Sequence, residues 1–483
     1  MKKLLFLIGI LSSGLYGASI DHIQTYSPDY LANQAQTGMI DEVSAYYNPA
    51  GLSRLDKGKY VHLGLQLANG HEKMSYKGKE HKAHLTQLIP NVSLTSVDDN
   101  GAYFFTFGGL AGGGKLEYDG VSGIDVLSDL AQFQPLGVYD KGSTLTGKNL
   151  YEQVTLGRAF TINDQLSVSV AGRIVHGSRN LSGTLNIGTN PSTAYKQAKV
   201  QQVTQEVSKA VDAATQGSGL SAAQIAAIKQ QKTTQALTLL QTKMNALQQN
   251  GLSGDLDSKR EAWGYGFQIG VNYKVNDKLN LAARYDSRIK MNFKAKGSEN
   301  QLQTADIIGS NIGLSTFYPQ YAINSKIRRD LPAILSVGAS YKVTDNYLVS
   351  TSANYYFNRH AKMDRVRTFG GHEHGRDYKN GWEIALGNEY KLNDKFTLIG
   401  SVNYARTGAK NSSFNDTEYA LNSVTLGAGL RYKYDETLSI TGSVAHFIYD
   451  KEDGNFKEKY KVNDNQKYHK EITAFGLSVT KKF

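Results

Sequence analysis

Three basic side chains occupy even-numbered positions of one alternating segment, 279–293, namely Arg284, Arg288 and Lys290. Side chains of a β-strand point alternately to its two faces, so this spacing predicts that all three project to one side. Positively charged groups on the wall of an apolar cavity are suited to holding a carboxylate. These residues are therefore candidate anchors for an anionic head group.

Two further basic residues, Arg173 and Arg431, lie in other alternating segments and offer the same chemistry. Acidic residues in such segments, Asp286 and Glu389, are available to pair with the cations. Ion pairs within the protein are therefore the alternative interpretation for each basic residue.

The remaining motifs that could support chemistry are weak. His372-Glu373-His374 resembles a metal-binding tripeptide, but it has no third ligand at close spacing and lies in a charged loop. Gly112-Gly113-Gly114-Lys115 lacks the Ser or Thr that follows in a phosphate-binding loop. No Ser/His/Asp arrangement stands out, and the chain has no cysteine. We expect no enzyme activity, no metal and no cofactor.

The candidate residues lie in a repeated unit of strand, short polar turn and strand. Asn276-Asp277 and Asn393-Asp394 are typical turn centres, because Asn and Asp tolerate the backbone angles of tight turns. The unit recurs in segments 156–177, 271–285, 339–356, 388–404 and 430–449. A β-propeller needs a steady four-strand period, whereas these hairpins are unevenly spaced, which favours a membrane β-barrel.

Alternation along the strands indicates one lipid-facing side. Between Trp263 and Tyr273, odd-numbered residues are aromatic or branched, and even-numbered residues are small or polar. The segment 279–293 alternates similarly, so we predict one continuous strand there. Its apolar face would meet lipid and its polar face a wet interior.

Candidate strands number about fourteen, and an even number returns both ends of the wall to the same side. The predicted fold is an all-β transmembrane barrel of about fourteen antiparallel strands. Thirty tyrosines, forty-eight glycines and only seven prolines agree with it. The strands are predicted to start near Lys59, Lys82, Gly101, Leu150, Gln165, Glu261, Lys278, Lys326, Asn346, Tyr378, Lys395, Glu418, Glu436 and Lys467.

The chain ends predict export to the cell outer membrane. Residues 1–18 have the basic start, short apolar run and small residues of a signal peptide, with cleavage expected between residues 17 and 19. Phe483 resembles the terminal aromatic signal of barrels, so outer-membrane lipid and the barrel assembly machinery are expected partners. The formal charge of +11 is scattered through strands and loops, and no nucleic-acid partner is expected.

Two segments do not alternate. Residues 19–57, which include Asn48-Pro49-Ala50, are predicted to form an N-terminal hatch, a plug folded into the lumen, and a periplasmic tail is the alternative. The insertion 196–250 has apolar residues at helical spacing, with Ser221 as a candidate helix cap, and predicts a helical hairpin on the outer side. The barrel itself is assigned to residues 58–483.

The segment 46–55, YYNPAGLSRL, resembles the hatch signature of the long-chain fatty acid outer-membrane transporter family, which also includes transporters of aromatic hydrocarbons such as toluene. The resemblance spans the whole chain, although residues 33–37 are more polar than is usual in the family. It implies a fourteen-stranded barrel and a hatch in which Asn48, Pro49 and Ala50 take part in gating.

Glycines in the predicted third strand indicate a bulge or bend, because glycine weakens strand pairing. In the resembled family, a kink in the third strand opens the wall sideways towards the membrane. Gly108 and Gly109 occupy a matching place. For Gly112–Gly114, a flexible strand end is the alternative.

The resemblance implies passive uptake of long-chain fatty acids or similar hydrophobic compounds. The expected partner is a hydrophobic small molecule, with Arg173, Arg284, Arg288 and Lys290 as candidate anchors. A general porin for small polar solutes is the first alternative. A surface adhesin that displays the helical insertion is the second.

Overall fold

The structure is a computed structural model that describes residues 27–300, 302–303, 311–367, 373–374, 378–416 and 418–483. The predicted signal peptide, hatch residues 19–26 and His372 lie outside the described residues. Among those described, no helix is both long and apolar enough to cross a membrane.

Fourteen antiparallel strands form a closed barrel, which confirms the predicted fold class. The wall consists of β1 (Gly58–Tyr76), β2 (Lys79–Asp98), β3 (Gly101–Tyr118), β4 (Thr144–Thr161), β5 (Leu166–Gly188), β6 (Leu252–Lys274), β7a (Leu279–Asp286) with β7b (Asn292–Glu299), β8a (Lys326–Arg328) with β8b (Ile334–Thr344), β9 (Tyr347–Tyr356), β10 (Gly381–Lys391), β11 (Phe396–Arg406), β12 (Ser423–Lys433), β13 (Leu438–Tyr449) and β14 (Lys467–Lys482). Pairing of β1 with β14, from Tyr60–Lys482 to Ser75–Lys467, closes the wall.

Three predicted strand starts are wrong. Strand β4 begins at Thr144 instead of near Leu150, β6 at Leu252 instead of near Glu261, and β12 at Ser423 instead of near Glu418. The early part of β6 has polar residues on both faces, so the contrast between faces that marks the rest of the strand is missing there.

The turns at one end of the barrel are short and locally encoded. Asn276 Oδ1 accepts hydrogen bonds from the backbone N–H groups of Lys278 (2.9 Å) and Leu279 (2.8 Å). Asn393 Oδ1 does the same for the two residues that follow Asp394 (2.9 and 3.0 Å). The predicted hairpin tips are therefore confirmed, and this end is called the short-turn end.

Longer loops and most helices lie at the other end, the loop end. The helices are α1 (Pro28–Ala32), α2 (Ser44–Tyr47), α3 (Ser122–Asp125), α4 (Thr193–Thr215), α5 (Ala222–Asn250), α6 (Leu314–Phe317) and α7 (Phe456–Tyr460). Short 3-10 helices cover Pro49–Arg54, Val126–Asp129, Gln134–Leu136, Pro319–Tyr321, Asn358–His360 and Asn411–Ser413. Two-residue strands are Tyr139–Asp140, Leu302–Gln303, Asn311–Ile312, Val366–Arg367, Glu373–His374 and Glu452–Asp453. Helices α4 and α5 form the predicted hairpin, and Ser221 caps α5 through a capping box with Gln224.

The predicted continuous strand over 279–293 is wrong. Strand β7 breaks between Asp286 and Asn292, and Ile289 turns inward to become 1% exposed. The neighbouring strand explains the break, because Gly264 and Gly266 of β6 have no side chains. An ideal Cβ would lie 2.3 Å from Ile289 Cγ2 at Gly264 and 2.4 Å from Ile289 Cδ1 at Gly266, so the space that side chains would take is filled by β7.

Described hatch residues lie inside the barrel. Helix α1 contacts β11 to β14 and β1, on one side of the wall. The 3-10 helix Pro49–Arg54 contacts β2 to β6, on the other side. The segment therefore crosses the lumen, and its contacts with both sides of the wall position the residues discussed below.

Candidate functional site

Amide side chains connect the hatch to the wall. Asn48 Nδ2 donates hydrogen bonds to the Met39 carbonyl (3.0 Å) and to Asn272 Oδ1 of β6 (2.7 Å). Asn280 of β7a donates to the Gly38 carbonyl (2.9 Å) and also to Asn272 (2.8 Å). The three asparagines form one buried network that holds residues 38–48 against two strands.

The other two predicted gating residues lie at the start of the following 3-10 helix. Pro49 occupies its first turn, where a backbone N–H is not required. Ala50 is fully buried, and its carbonyl accepts a hydrogen bond from Ser167 Oγ of β5 (2.8 Å). Asn48, Pro49 and Ala50 thus form the junction between hatch and wall.

Two of the predicted anchors share one carboxylate in the lumen. Arg284 Nη2 lies 3.2 Å from Asp286 Oδ2, and Arg173 Nη1 lies 3.8 Å from Asp286 Oδ1. Arg284 also donates to the Tyr46 carbonyl of the hatch, and Arg173 donates to Gln153 Oε1 (2.9 Å). The pair is therefore a contact between hatch and wall as well as a source of buried positive charge.

Arg288 and Lys290 are separated from this pair. Because β7 breaks after Asp286, both side chains are exposed instead of facing the lumen beside Arg284. Arg288 donates to the His360 carbonyl (3.0 Å) in an outer loop. The prediction that Arg284, Arg288 and Lys290 project from one face of a single strand is therefore wrong: Arg284 is buried, and the other two side chains are exposed.

Arg431 forms a two-pronged ion pair with Glu389 across the wall (2.9 and 3.2 Å). Beside it, burial raises the pKa of the hatch residue Asp41 to about 7, although the Arg431 guanidinium acts in the opposite direction. Arg431 also lines an open vestibule of about 730 Å³ at the short-turn end. This part of the site is polar and open to solvent.

One cavity that the described residues form between hatch and wall is small. It has a volume of about 30 Å³ and is lined by residues that include Tyr30, Thr37, Arg173, Arg284 and Glu383. Ligand pockets in proteins typically measure ~300–1,000 Å³. A long-chain ligand would enter this cavity only after movement of the hatch or of lumen side chains.

A second cationic cluster lies nearer the loop end and was not predicted. Arg179 pairs with Glu418, and Arg329 Nη1 lies 2.8 Å from the other carboxylate oxygen of Glu418. Arg260, 1% exposed, stacks over the Tyr321 ring with its guanidinium carbon 3.9 Å from the ring centroid. These residues bring several guanidinium groups into one buried volume.

Arg260 is the most informative member of this cluster. Its Nε and Nη2 atoms are buried and have no hydrogen-bond acceptor among the described residues. Burial alone would raise the pKa of Tyr321, yet the guanidinium groups of Arg260 and Arg179 lower it. An unsatisfied buried donor is costly, so this position favours an anionic oxygen.

Residue parity could have found this cluster. Arg179 lies six residues after Arg173 on β5 and therefore has the same inward parity. Arg260 is an even-numbered residue of β6, and even-numbered residues form the polar face of that strand. Arg179 and Arg260 are also direct cross-strand neighbours. They were missed because both lay outside the predicted strand bounds.

Apolar surface surrounds both cationic groups. One buried cluster in the lumen includes Leu110, Tyr151, Ile289, Met291 and Phe293. A larger one is built from the outer loops and the upper ends of the strands, and includes Leu127, Phe133, Leu247, Phe414 and Phe456. The lumen thus combines apolar walls with a few buried cations.

The predicted kink residues lie where two strands part. Pairing of β2 with β3 runs from Asp98–Gly101 to Asn91–Gly108 and then stops. Beyond Gly108, β3 pairs only with β4, with register shifts after Gly109 and after Gly112.

Among the described residues, no three His, Cys, Asp or Glu side chains are grouped to hold a metal ion.

Comparison with known proteins identifies a family and several similar sequences. The family described as "Outer membrane protein transport protein (OMPP1/FadL/TodX)" matches residues 140–483. Outer membrane protein P1 of Haemophilus influenzae is 24% identical over 337 residues, covering 66% of this chain and 64% of that protein. The long-chain fatty acid transport protein of Escherichia coli O157:H7 is 21% identical over 275 residues, covering 56% and 58%. The chain spans 44% to 64% of the length of the first curated relatives it matches.

Solved structures show the same fold. A Pseudomonas aeruginosa FadL homologue superposes with a TM-score of 0.63 at 15% identity, covering 95% of this chain and 99% of that chain. The P. putida toluene transporter TodX superposes with a TM-score of 0.61 at 16% identity and the same coverage. At these identities the likeness concerns the fold alone.

Proposed function

Because this chain belongs to the outer membrane protein transport protein (OMPP1/FadL/TodX) family, we propose that it takes up long-chain fatty acids or similar hydrophobic compounds through a hatched lumen. The family is one of outer-membrane transport channels and not of enzymes. The short-turn end is then periplasmic, and the loop end faces the cell exterior.

The main support is Arg260, a buried guanidinium whose Nε and Nη2 have no acceptor among the described residues and which lies beneath an apolar cluster of outer loops. A fatty acid has one anionic head and a long apolar chain, so it matches a cation surrounded by apolar side chains. A neutral aromatic hydrocarbon could stack on this guanidinium but has no oxygen atom to accept its hydrogen bonds. The geometry therefore supports an acid over a hydrocarbon.

We propose a second position for the head group at Arg173 and Arg284, directly above the hatch. Displacement of the hatch around Asn48, Pro49 and Ala50 would enlarge the 30 Å³ cavity there. The parting of β2 and β3 at Gly108 and Gly109 would offer a sideways route to the membrane. Arg288 and Lys290, being exposed, are assigned no part in binding.

Binding by purified protein in detergent tests the proposal. Titration with a fluorescent long-chain acid should show saturable binding, and the matching long-chain alcohol should compete more weakly. If neither binds, the transport proposal loses its support. Rapid liposome swelling with small sugars would instead favour the porin alternative, because a plugged lumen excludes them.

A further inference from the structure

The wall contains a second interruption, on the strands that follow the helical insertion. Pairing of β6 with β7a ends at Gln268–Asp286, and pairing with β7b resumes only at Glu261–Lys294. We call the interruption between these two ladders, bordered by residues 262–266 and 288–293, the lateral seam. Across the neighbouring β7–β8 boundary the same stretch stays attached: Ile289 bridges Leu331, Arg329 N–H donates to the Met291 carbonyl (2.9 Å), and regular pairing resumes at Asn292–Arg328.

Backbone groups of β6 point into the seam. Ser287 N–H donates to the Phe267 carbonyl (2.9 Å), and Phe267 N–H donates to Ser287 Oγ (2.8 Å), so the peptide groups of Phe267 face β7. Strand geometry repeats every two residues, hence the peptide groups of Tyr265 and Trp263 face the same way. In the part of the chain that the structure describes, no backbone hydrogen bond joins those two residues to β7.

Unpaired peptide groups are costly inside a membrane. In hydrocarbon each one costs several kcal/mol, and irregular backbone is tolerated only where it is buried in protein or lines a polar space. Trp263 and Tyr265 present their side chains to lipid, with exposed fractions of 62% and 69%. Their peptide groups therefore lie at the boundary between the membrane and the lumen.

Only one layer of chain separates the seam from the apolar interior. Residues 287–291 fold behind Gly264 and Gly266, and Ile289 and Met291 are fully buried there. These two side chains belong to the lumen cluster that also contains Leu110 of β3. The same apolar cluster thus borders the β2–β3 parting and the lateral seam.

We propose that the lateral seam is a second side opening, through which an amphiphile with an apolar chain and a hydrogen-bonding head exchanges between the lumen and the surrounding membrane. Residues 287–291 are its gate. The N–H groups of Trp263 and Tyr265 donate to oxygen atoms of the passing head group, and the chain follows Ile289 and Met291. The inference rests on the proposed uptake of hydrophobic compounds.

A disulfide across the seam tests this directly, because the natural chain has no cysteine. The variant Gly264→Cys with Ile289→Cys is favoured by geometry: an ideal Cβ at Gly264 lies 2.3 Å from Ile289 Cγ2, the position a sulfur would approach. In a disulfide, the Cβ of one cysteine lies about 3 Å from the sulfur of the other cysteine. A small shift of the backbone therefore suffices to form the bond. Phe396→Cys with Tyr432→Cys is the matched control: these residues are directly opposite each other on the outer face of the intact β11–β12 ladder, and their rings stack with centroids 5.0 Å apart.

Uptake of a labelled long-chain acid is measured in vesicles for each protein, oxidised and then reduced. The oxidised seam variant should transport at about half its reduced rate or less, since one of two parallel openings is held shut, and the control should not change on reduction. Equal rates for the fully oxidised and reduced seam variant would overturn the inference. Where that disulfide fails to form, Gly266→Cys with Ser287→Cys replaces it, with an ideal Cβ 2.6 Å from Ser287 Oγ.

The outcomes also separate the two proposals. No uptake by the unmodified protein in the same vesicles would contradict the proposed function. Normal uptake by the unmodified protein, together with an unaffected locked variant, would leave that function standing and remove only the seam.

Discussion

Replacing Asn48 by alanine tests whether a few polar contacts hold the hatch in place. Asn48 is 2% exposed, and its Nδ2 group donates to the Met39 carbonyl (3.0 Å) and to Asn272 Oδ1 (2.7 Å). A buried hydrogen bond contributes about 1 kcal/mol, and leaving the Met39 acceptor without this donor adds a further cost, so the closed hatch should lose about 2–3 kcal/mol. Asn272 retains Asn280 as a donor, so the wall itself is spared.

This loss of free energy in the closed state predicts how much more protein has a released hatch. Since about 1.4 kcal/mol corresponds to a factor of ten, the fraction of protein with a released hatch should rise about 30- to 150-fold. Liposome swelling with a small sugar measures that fraction, because solute flux requires an unplugged lumen. Single-channel recordings should show the same change as more frequent openings, with an unchanged open conductance.

The control is Asn69→Ala, which removes an exposed amide that bonds Thr86 on the outer face of β1 (3.3 Å). Both variants should keep the thermal stability of the barrel, which comes from fourteen paired strands. If Asn48→Ala and Asn69→Ala give the same swelling rate, the asparagine network does not hold the hatch, and the assignment of gating to residues 48–50 fails.

Three further perturbations have defined outcomes. Arg260→Gln should weaken binding of a long-chain acid about tenfold without affecting the matching alcohol, because a charge-assisted hydrogen bond is lost; equal effects on both ligands would contradict a head-group role. Burial raises the pKa of Asp416 to about 6, so the folded state binds this proton more tightly than the unfolded state, and stability should fall as pH rises from about 4 to about 6. Melting curves of Asp416→Asn should lack that slope, and an unchanged slope would assign it to other groups. Deleting residues 200–239, the part of the helical hairpin that contributes nothing to the apolar outer-loop cluster, should preserve fatty acid uptake, whereas loss of cell attachment alone would support the adhesin alternative.

The strands and turns could be predicted because their signals are local. Lipid on one side and lumen on the other impose a period of two on each strand, as between Trp263 and Tyr273. The Asx turns at Asn276 and Asn393 depend on residues at most three positions away. The number of strands followed from these two signals.

The break in β7 could not be predicted, because its cause lies in another strand. Residues 279–293 alternate without interruption, and nothing in them marks the point at which the apolar face turns from lipid to lumen. The turn is possible because Gly264 and Gly266 leave room behind β6, and these glycines meet Ile289 only after the register of β6 with β7 is set. A non-local register thus decided which of Arg284, Arg288 and Lys290 face the lumen.

The same non-local register makes the pair Arg179 and Arg260 costly. Two guanidinium groups that face each other across neighbouring strands repel, and burial removes the water that would screen them. Glu418 offsets Arg179, and the Tyr321 ring offsets Arg260 from one face, but two donors of Arg260 keep no acceptor among the described residues. An apolar residue at 260 would remove this cost and fill the space, so the arrangement is best explained by an occupant that supplies the missing oxygen atoms. On this argument Arg260→Met should raise the melting temperature of the ligand-free protein, and a long-chain acid should stabilise only the unmodified one. If Arg260→Met is instead destabilising without ligand, the arginine is structural.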